Sequence, residues 1–568
     1  MKIAHISVHN FRGIHDASVN LFDYNLLVGP NNAGKSTVID AIRVFYEKDG
    51  FKYKADRDFP FIAGTDQESW VELVFRLTDA EESSLADDYR QQDKTLRVRK
   101  FLKTGDKNKD GYIFGYKTNG MLSDESFYGA KNVQSGKFGD IVFIPAISKV
   151  DEHTKMSGPS ALRDLLTNVL EAVVTSSPSY EKFAKDFEAF AQGVKTETTG
   201  DGRSLVGLEA DLSGLLSSWG TAFQLEMKSP SITEIIKTLL SYQCIDNAHG
   251  KALAADQFGS GFQRHFIYSL IQIGAKYVSK KTSKKMRDFT PSMNLIVFEE
   301  PEAFLHPPQQ EILAQNLTML ANNPDQQVIC STHSAQFVSR NASHIPAVAR
   351  LKRDNGRISV CQIGADAWDE IVDANQVINK IATRWPKLKA RLEEDDLKPE
   401  MEAVKYFLWL NPDRCGMFFA NHVLIVEGPS EQALINKLLG DGTVKRPAEG
   451  LYVLDSMGKF NMHRFMNLLT RLGISHAVLH DDDNNQAEHA DINQLIQDSK
   501  SVFTSAVCTL VGNLEKLLCV PKPKFDHRKP QHLLYLHETG QIAAENLLTF
   551  FSVVESCLPQ PPNAGDKA

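Results

Sequence analysis

The stretch that decides the fold is Leu26-Leu27-Val28-Gly29-Pro30-Asn31-Asn32-Ala33-Gly34-Lys35-Ser36. Its first three residues close an apolar run, 20–28, that reads as a strand, and Val38, Ile42 and Phe45 then recur at helical spacing. Between strand and helix, Gly29 to Ser36 fits G-x-x-x-x-G-K-[ST] in full. The spacing has a physical reason. Glycines let successive N–H groups turn toward a phosphate at a helix N-terminus, where those donors have no intrahelical partner. Lys35 then reaches the β- and γ-phosphates, and Ser36 sets a hydroxyl on Mg²⁺. Gly29, Asn31, Asn32, Gly34, Lys35, Ser36 and Thr37 are therefore the candidate ATP-binding residues, with one Mg²⁺ expected beside the nucleotide.

Working outward, residues 3–8 alternate like a strand, and 51–145 mix short alternating runs such as Val71-Glu72-Leu73-Val74-Phe75 with polar turns. From about 155 to 250 the pattern is helical and polar, with no chemistry to name. Leu295-Ile296-Val297-Phe298-Glu299-Glu300-Pro301 then sets two carboxylates at the end of a buried strand, where open α/β sheets bind ligands. Val328-Ile329-Cys330-Ser331-Thr332-His333-Ser334 is a second strand, ending in a histidine. Phe258-Gly259-Ser260-Gly261-Phe262-Gln263-Arg264 is a glycine-rich turn opening a helix, where Ser260 and Gly261 can present donors to an anion. Each piece alone is as readily a polar strand end or an ordinary turn; downstream of a phosphate loop they gain specificity.

These residues carry a resemblance. The opening I-x-V-x-N-F-R-G-I at Ile6–Ile14, the phosphate loop, and E-E-P-E-x-x-L-H-P at Glu299–Pro307 resemble the RecF/SMC-like branch of ABC ATPases, and its OLD-family members in particular. The likeness covers residues 1–50 and 255–345 and hardly touches those between. It implies an ABC-type ATPase head in which Glu299, at a position more often Asp, holds Mg²⁺ through water and Glu300 polarises the attacking water. His333 would then sense the γ-phosphate, Arg12 would lie near the nucleotide, and Ser260 and Gly261 would complete the ATP site of a second copy. In that branch ATP clamps two heads together, so a homodimer is expected, with higher assembly through the helical segment.

After a polar helical stretch, 371–414, the chain alternates again. HVLIVEG reads as strand, EQALINKLLG as helix, LYVLDS as strand, KFNMHRFMNLLTRLG as helix and SHAVLHDDD as strand. This βαβαβ succession predicts a second, parallel sheet in a separate α/β domain. Glu427 ends its first strand, Glu431 follows in the first turn of the next helix, and Asp481 and Asp483 end a later strand. Asp481 and Asp483 share a side of extended chain. Carboxylates brought to one sheet edge repel one another unless a divalent cation neutralises them, and oxygen-only donors select Mg²⁺ or Mn²⁺. Asp481-Asp482-Asp483-Asn484-Asn485 is also a good acidic turn.

The Glu-Gly then D-x-D pattern resembles the Toprim domain of topoisomerases, primases and OLD nucleases. Glu427 and Glu431 match E-G-x-x-E, Asp481 and Asp483 match D-x-D, and Asp455 matches an acid that helps form a second metal site in OLD nucleases. The resemblance implies two metal ions about 4 Å apart in this site, serving phosphodiester hydrolysis. It also implies that Lys529, in Arg528-Lys529-Pro530, stabilises charge on the scissile phosphate, with Lys522 and Lys524 as rivals.

The expected organisation is an ABC ATPase over 1–370 with the helical insertion at about 155–250, a linker over 371–414 and a Toprim domain over 415–568. A length of 568 residues accommodates this. No run approaches the roughly 18 apolar residues a membrane span needs, and the alternating start is no signal peptide. The seven cysteines form no CxxC pair, which argues against zinc or a disulfide framework and for a cytoplasmic setting. A net charge of -8 leaves DNA binding to local patches. Arg97, Arg99, Lys100 and Lys103 form one and Lys280, Lys281, Lys284, Lys285 and Arg287 another, although each patch alone is more readily a solvated face. The expected function is an ATP-gated, metal-dependent DNA endonuclease or nickase. OLD proteins are implicated in anti-phage defence, and some act beside a helicase or a reverse transcriptase. The alternatives are an SMC/RecF-like DNA clamp with a non-cleaving Toprim fold, and a DNA-free regulatory ATPase.

Overall fold

The first strands divide where the chain must leave one sheet for another. β1 (Lys2–Phe11) and β2 (Ile14–Asn20) pair antiparallel, whereas β3 (Tyr24–Val28), buried along its whole length, enters a different sheet. Asn20, expected to open the strand before the phosphate loop, instead closes β2. The structure is a computed structural model. It describes all residues except 62–65, 131–137, 147–149, 157–159, 175–176, 278–288, 290, 292, 339–341, 391–392, 446–449, 484–486 and 560–568.

One sheet is a six-stranded antiparallel layer in the order β2-β1-β4-β5-β6-β7, with β4 at Ser69–Arg76, β5 at Thr95–Lys103, β6 at Ile113–Tyr116 and β7 at Leu122–Ser126. The other has the order β14-β13-β3-β12-β11-β8, built from β8 (Asp140–Ile144), β11 (Asn294–Glu299), β12 (Gln326–Ser331), β13 (Val348–Asp354) and β14 (Arg357–Gln362) around β3. All its pairings are parallel except β13 with β14. One apolar core joins the two sheets to the helix Lys35–Tyr46, with Phe11, Phe45, Phe75, Phe127 and Phe138 fully buried in it. Phe75 and Phe138 stack at 5.6 Å. Burying each such ring contributes about 1.5–3 kcal/mol, which fixes β3 and its helix around the loop between them.

The expected basic patch on β5 is not a free one. Arg97 and Arg99 point to one face and share Glu72, at 2.6 and 2.8 Å. Lys100, on the other face, is fully buried and donates to the carbonyls of Val44 and Phe45 and to Glu47. It caps the C-terminal end of the helix Lys35–Tyr46, where carbonyls lack partners and a cation is favoured. The patch from Lys280 to Arg287 lies outside the described residues.

Residues 147–282 form a compact unit of their own. It contains the helices Ala161–Val174, Pro178–Thr196, Leu205–Leu216, Ile232–Leu239 and Ser260–Tyr277, and a hairpin of β9 (Cys244–Asp246) and β10 (Lys251–Leu253). The helical pattern read at about 155–250 falls inside this unit.

A four-stranded parallel sheet follows in the order β16-β15-β17-β18: β15 is His422–Val426, β16 Leu451–Asp455, β17 Ser475–Asp481 and β18 Thr504–Leu510. The chain runs from β15 outward to β16 and then back across to β17, so a topological switch point lies between β15 and β17. The stretch expected as a helical linker from 371 is built of packed helices. The helix Ala365–Arg384 begins before that boundary and packs on the helix Met462–Arg471. From the helix Pro399–Trp409, Glu402 makes a buried two-pronged ion pair with Arg464 at 2.9 and 3.0 Å. Tyr406 donates to the Arg464 carbonyl at 2.8 Å. Among the described residues, no helix is long and apolar enough to cross a membrane.

Candidate active sites

The loop after β3 takes its shape from three residues in the left-handed region: Gly29 (φ 134°), Asn32 (φ 63°) and Gly34 (φ 103°). At Gly29 a Cβ would stand 2.3 Å from the Leu351 carbonyl oxygen, and at Gly34 2.5 Å from Ile358 Cδ1, so both positions demand glycine. The helix starts at Lys35 with no side-chain cap on its first N–H groups, which is the anion-binding arrangement. Lys35 is buried and donates to the carbonyls of Gly29 and Pro30 at 3.0 and 2.9 Å. Burial, partly offset by Glu300 and Glu302, lowers its ammonium to about 8. Thr37 folds its N–H back to the Gly34 carbonyl at 3.0 Å.

β12 lies between β3 and β11, so the acids and the histidine meet the loop at one sheet edge. Ser36 donates its hydroxyl to Glu299. Glu300 stands next, at φ 45°, with its N–H on the Ser331 carbonyl and its carboxylate 3.4 Å from His333 Nε2. A non-glycine residue in that region stores strain, as is common at functional sites. Burial and the nearby Lys35 lower the His333 imidazole against the pull of Glu300. Glu302 was not singled out from the sequence, yet its carboxylate accepts the His333 N–H at 2.6 Å. Arg12 is held by two carboxylates, Asp40 at 2.8 Å on the helix that begins at Lys35, and Asp58 at 3.0 Å. Ser260 and Gly261 open the helix Ser260–Tyr277 of the separate unit 147–282.

The second site forms at the switch point, where side chains from adjacent strand ends converge outside the sheet. Glu427 follows β15 and Asp481 ends β17; the Asp481 N–H donates to Glu427 Oε2 at 3.4 Å. Glu431, buried in the first turn of the helix Pro429–Gly440, turns back to accept the Gly428 N–H at 3.1 Å. Burial raises Glu427, and burial with the charge of Glu427 raises Glu431 to about 7. Asp481 goes up to about 9 through burial and then through Glu427, Glu431, Asp483 and Glu515. Its Oδ1 is buried with no hydrogen-bond partner among the described residues. Carboxyls crowded and buried together, all offering oxygen, fit a hard divalent cation. Among the described residues no three His, Cys, Asp or Glu side chains already close around a metal position.

Positive groups already hold part of the cluster. Lys459, which sequence reasoning passed over, is fully buried, 2.5 Å from the Asp481 carbonyl and 3.4 Å from Asp483 Oδ2. Asp483 is also 3.2 Å from His489. Asp455 is turned to Arg414, at 3.2 Å. Lys529 pairs with Glu515 at 3.3 Å and Asp526 at 3.6 Å, which outweigh burial and raise it. Its rival Lys522 pairs with Asp526 at 3.1 Å, and Lys524 lies over the Phe525 ring.

Comparison with known proteins agrees with both halves. The AAA ATPase domain family matches residues 1–132 and 162–338. The TOPRIM domain of overcoming lysogenization defect protein-like proteins matches residues 418–483, which include Glu427, Glu431, Asp455, Lys459, Asp481 and Asp483 but not Lys529. The Old nuclease of Escherichia phage P2 is 24% identical over 502 residues, 85% of this chain and 77% of that one. Endonuclease GajA of Bacillus cereus (strain VD045) is 21% identical over 499 residues, 85% and 75% of the two chains. The uncharacterized protein YbjD of Escherichia coli (strain K12) is 23% identical over 508 residues, 85% and 80%. The chain thus belongs to the AAA ATPase domain family, which spans more than half its length, and carries the TOPRIM domain of overcoming lysogenization defect protein-like proteins after it.

Proposed function

We propose that this chain is an ATP-binding, divalent-metal-dependent DNA endonuclease or nickase. In this reading the head, 1–370, gates the TOPRIM domain, 415–568, and the protein serves anti-phage defence in the cytoplasm. The observation that carries the reading is Glu427 and Asp481 side by side at a sheet switch point, in a chain that also has a complete phosphate loop. The names of the phage P2 and Bacillus cereus relatives support the nuclease half.

In the head, the N–H groups of the Gly29–Thr37 loop and Lys35 bind the phosphates, which requires Lys35 to leave the Gly29 and Pro30 carbonyls. Ser36 and Glu299 would hold Mg²⁺, Glu300 is placed to take the proton of an attacking water, and His333 is placed to donate to the γ-phosphate. Arg12, tied to Asp40, stiffens the helix behind the loop. Ser260 and Gly261 serve the nucleotide of a second copy, so the working unit is at least a homodimer. In the TOPRIM domain, Glu427, Glu431, Asp481 and Asp483, with Asp455 for a second ion, would hold Mg²⁺ or Mn²⁺. Bound cations would supply Lewis acidity at the phosphodiester oxygens. Lys529, once released from Glu515, neutralises charge on the scissile phosphate. A helicase or reverse-transcriptase partner is the class that the family likeness favours.

A second reading is an ATP-dependent DNA clamp that does not cut. It is favoured by one observation: Asp455 and Asp483 are each already paired with a cationic side chain, Arg414 and Lys459. Plasmid relaxation with Mg²⁺ or Mn²⁺, wild type against Glu427→Ala, separates the two. Cleavage lost in the variant supports the nuclease. Equal cleavage by both, or DNA bound but never cut, overturns it.

A further inference from the structure

We infer that Phe419 carries the state of the ATP site to the acidic site, its ring set against His333 while Arg350 grips the main chain on both sides of it. The inference rests on the ATP-gated reading for what the far end does, but its geometry is independent of cleavage. The His333 and Phe419 ring centroids are 6.4 Å apart, within the range of interacting aromatic pairs. Phe419 ends the short helix Gly416–Phe419 just before β15, the strand that leads into Glu427.

Arg350 makes this contact mechanically useful. It lies on β13 opposite Val28, the residue that precedes the phosphate loop. Its guanidinium is buried and donates to the carbonyls of Phe418 (3.3 Å), Ala420 (2.8 Å), Leu472 (3.4 Å) and Gly473 (3.3 Å). Residues 418–420 are thus fastened to the P-loop sheet through main-chain oxygens, which leaves the half-buried Phe419 ring as the part that answers to His333. A buried guanidinium is costly unless its donors are used, so this grip is a fixed feature of the fold. A parallel contact runs beside it. The helix Ala335–Val338, which follows His333, packs on the helix Pro412–Cys415, and Arg414 of that helix holds Asp455 by carboxylate and carbonyl at 3.2 and 3.1 Å. Arg414 is accordingly a positioning residue for Asp455. A γ-phosphate bonded to His333 favours one setting of that ring, and any displacement passes to the start of β15 and to Arg414. Such a path transmits only what ATP gains by preferring one setting.

The test is hydrogen exchange of segment 420–428 with and without ATP and Mg²⁺, in wild type, Phe419→Ala, Phe419→Leu and Phe419→Tyr. ATP affinity is measured by calorimetry in each, and cleavage in parallel. ATP is expected to slow exchange about 5-fold or more in wild type and Phe419→Tyr, and less than about 2-fold in the alanine and leucine variants, with ATP affinity kept. Exchange indifferent to ATP in wild type, or a full response in Phe419→Leu, overturns the inference. The exchange response without cleavage under any metal would instead overturn the nuclease reading and leave the relay standing.

Discussion

Lys459 holds its ammonium 2.5 Å from the main-chain oxygen of Asp481 and 3.4 Å from the carboxylate of Asp483, fully buried behind the acidic cluster. It is the fold's own counter-charge for a site too acidic to stand alone. Lys459→Met removes that charge from the buried cluster and leaves the Asp481 carbonyl to His480 Nδ1 alone, at a cost of about 2–4 kcal/mol. The metal-free variant is expected to melt several degrees below wild type, and Mn²⁺ to restore more of the loss than it adds to wild type. A variant as stable as wild type in chelator would show that the lysine does not balance the cluster.

Asp481→Asn should act in the opposite direction on stability. The Asp481 carboxyl is raised to about 9, by burial first and by Glu427, Glu431, Asp483 and Glu515 after it. A group raised above its unfolded value contributes stability fully present below about 3.8, and that contribution is lost as pH rises through about 9. At neutral pH the metal-free fold therefore carries a penalty on the order of 2–4 kcal/mol that an uncharged amide avoids. The expected outcome is a higher melting temperature in chelator together with loss of metal-dependent cleavage. A lower melting temperature in chelator would refute the crowding.

At the ATP site, binding and turnover should separate. Lys35→Ala is expected to weaken ATP binding on the order of 100-fold, since it removes charge-assisted bonds to two phosphates. Glu300→Gln keeps the shape and the His333 neighbour but loses the base, so ATP affinity should stay within about 2-fold while turnover falls about 100-fold. Equilibrium binding and single-turnover hydrolysis check both. Undiminished ATP affinity in Lys35→Ala would overturn the phosphate-loop assignment.

What the sequence made legible is what lies close in sequence to a buried strand. Gly29–Ser36, Glu299–Glu300, Glu427 and Asp481 each follow an apolar run directly, so strand and side chain were read together. Glu302, Lys459, Glu515 and Arg350 were not legible, because their partners lie in distant elements and no spacing announces them. Lys100 shows the converse. In the run Arg97 to Lys103 it reads as surface charge, yet strand alternation sends it inward, opposite Arg97 and Arg99, to the carbonyls of Val44 and Phe45. The stretch expected as a helical linker shows the same effect. The polar residues of 371–414 include Glu402, which is buried because Arg464 meets it from a helix far along the chain.

Three buried histidines should work against the TOPRIM half as pH falls, well above the range where ordinary carboxylates titrate. Burial lowers His422 to about 4 and His463 to about 3, and lowers His476 as well. Each is packed as a neutral ring. His476 takes Nδ1 to the Ile474 carbonyl and Nε2 to the Thr504 hydroxyl, both at 2.9 Å, and His463 lies beside Arg464, which further opposes a charge. In the unfolded chain all three take up a proton near 6.5, so the unfolded state binds more protons and gains as pH falls below that value. Each histidine then removes about 1.4 kcal/mol per pH unit until its own folded value is reached. Glu402, held below its ordinary value because Arg464 outweighs its burial, adds a further loss only below about 4.5. Thermal melts from pH 7.5 to 5 should therefore show the three histidines lowering the transition from about 6.5 downward, against the opposite gain from Asp481 and Glu431, whose raised carboxyls take up protons in the folded state. In His476→Gln, whose amide can keep both bonds without charging, the slope should be shallower by about one proton. An identical slope in wild type and variant would mean that His476 does not drive the acid response.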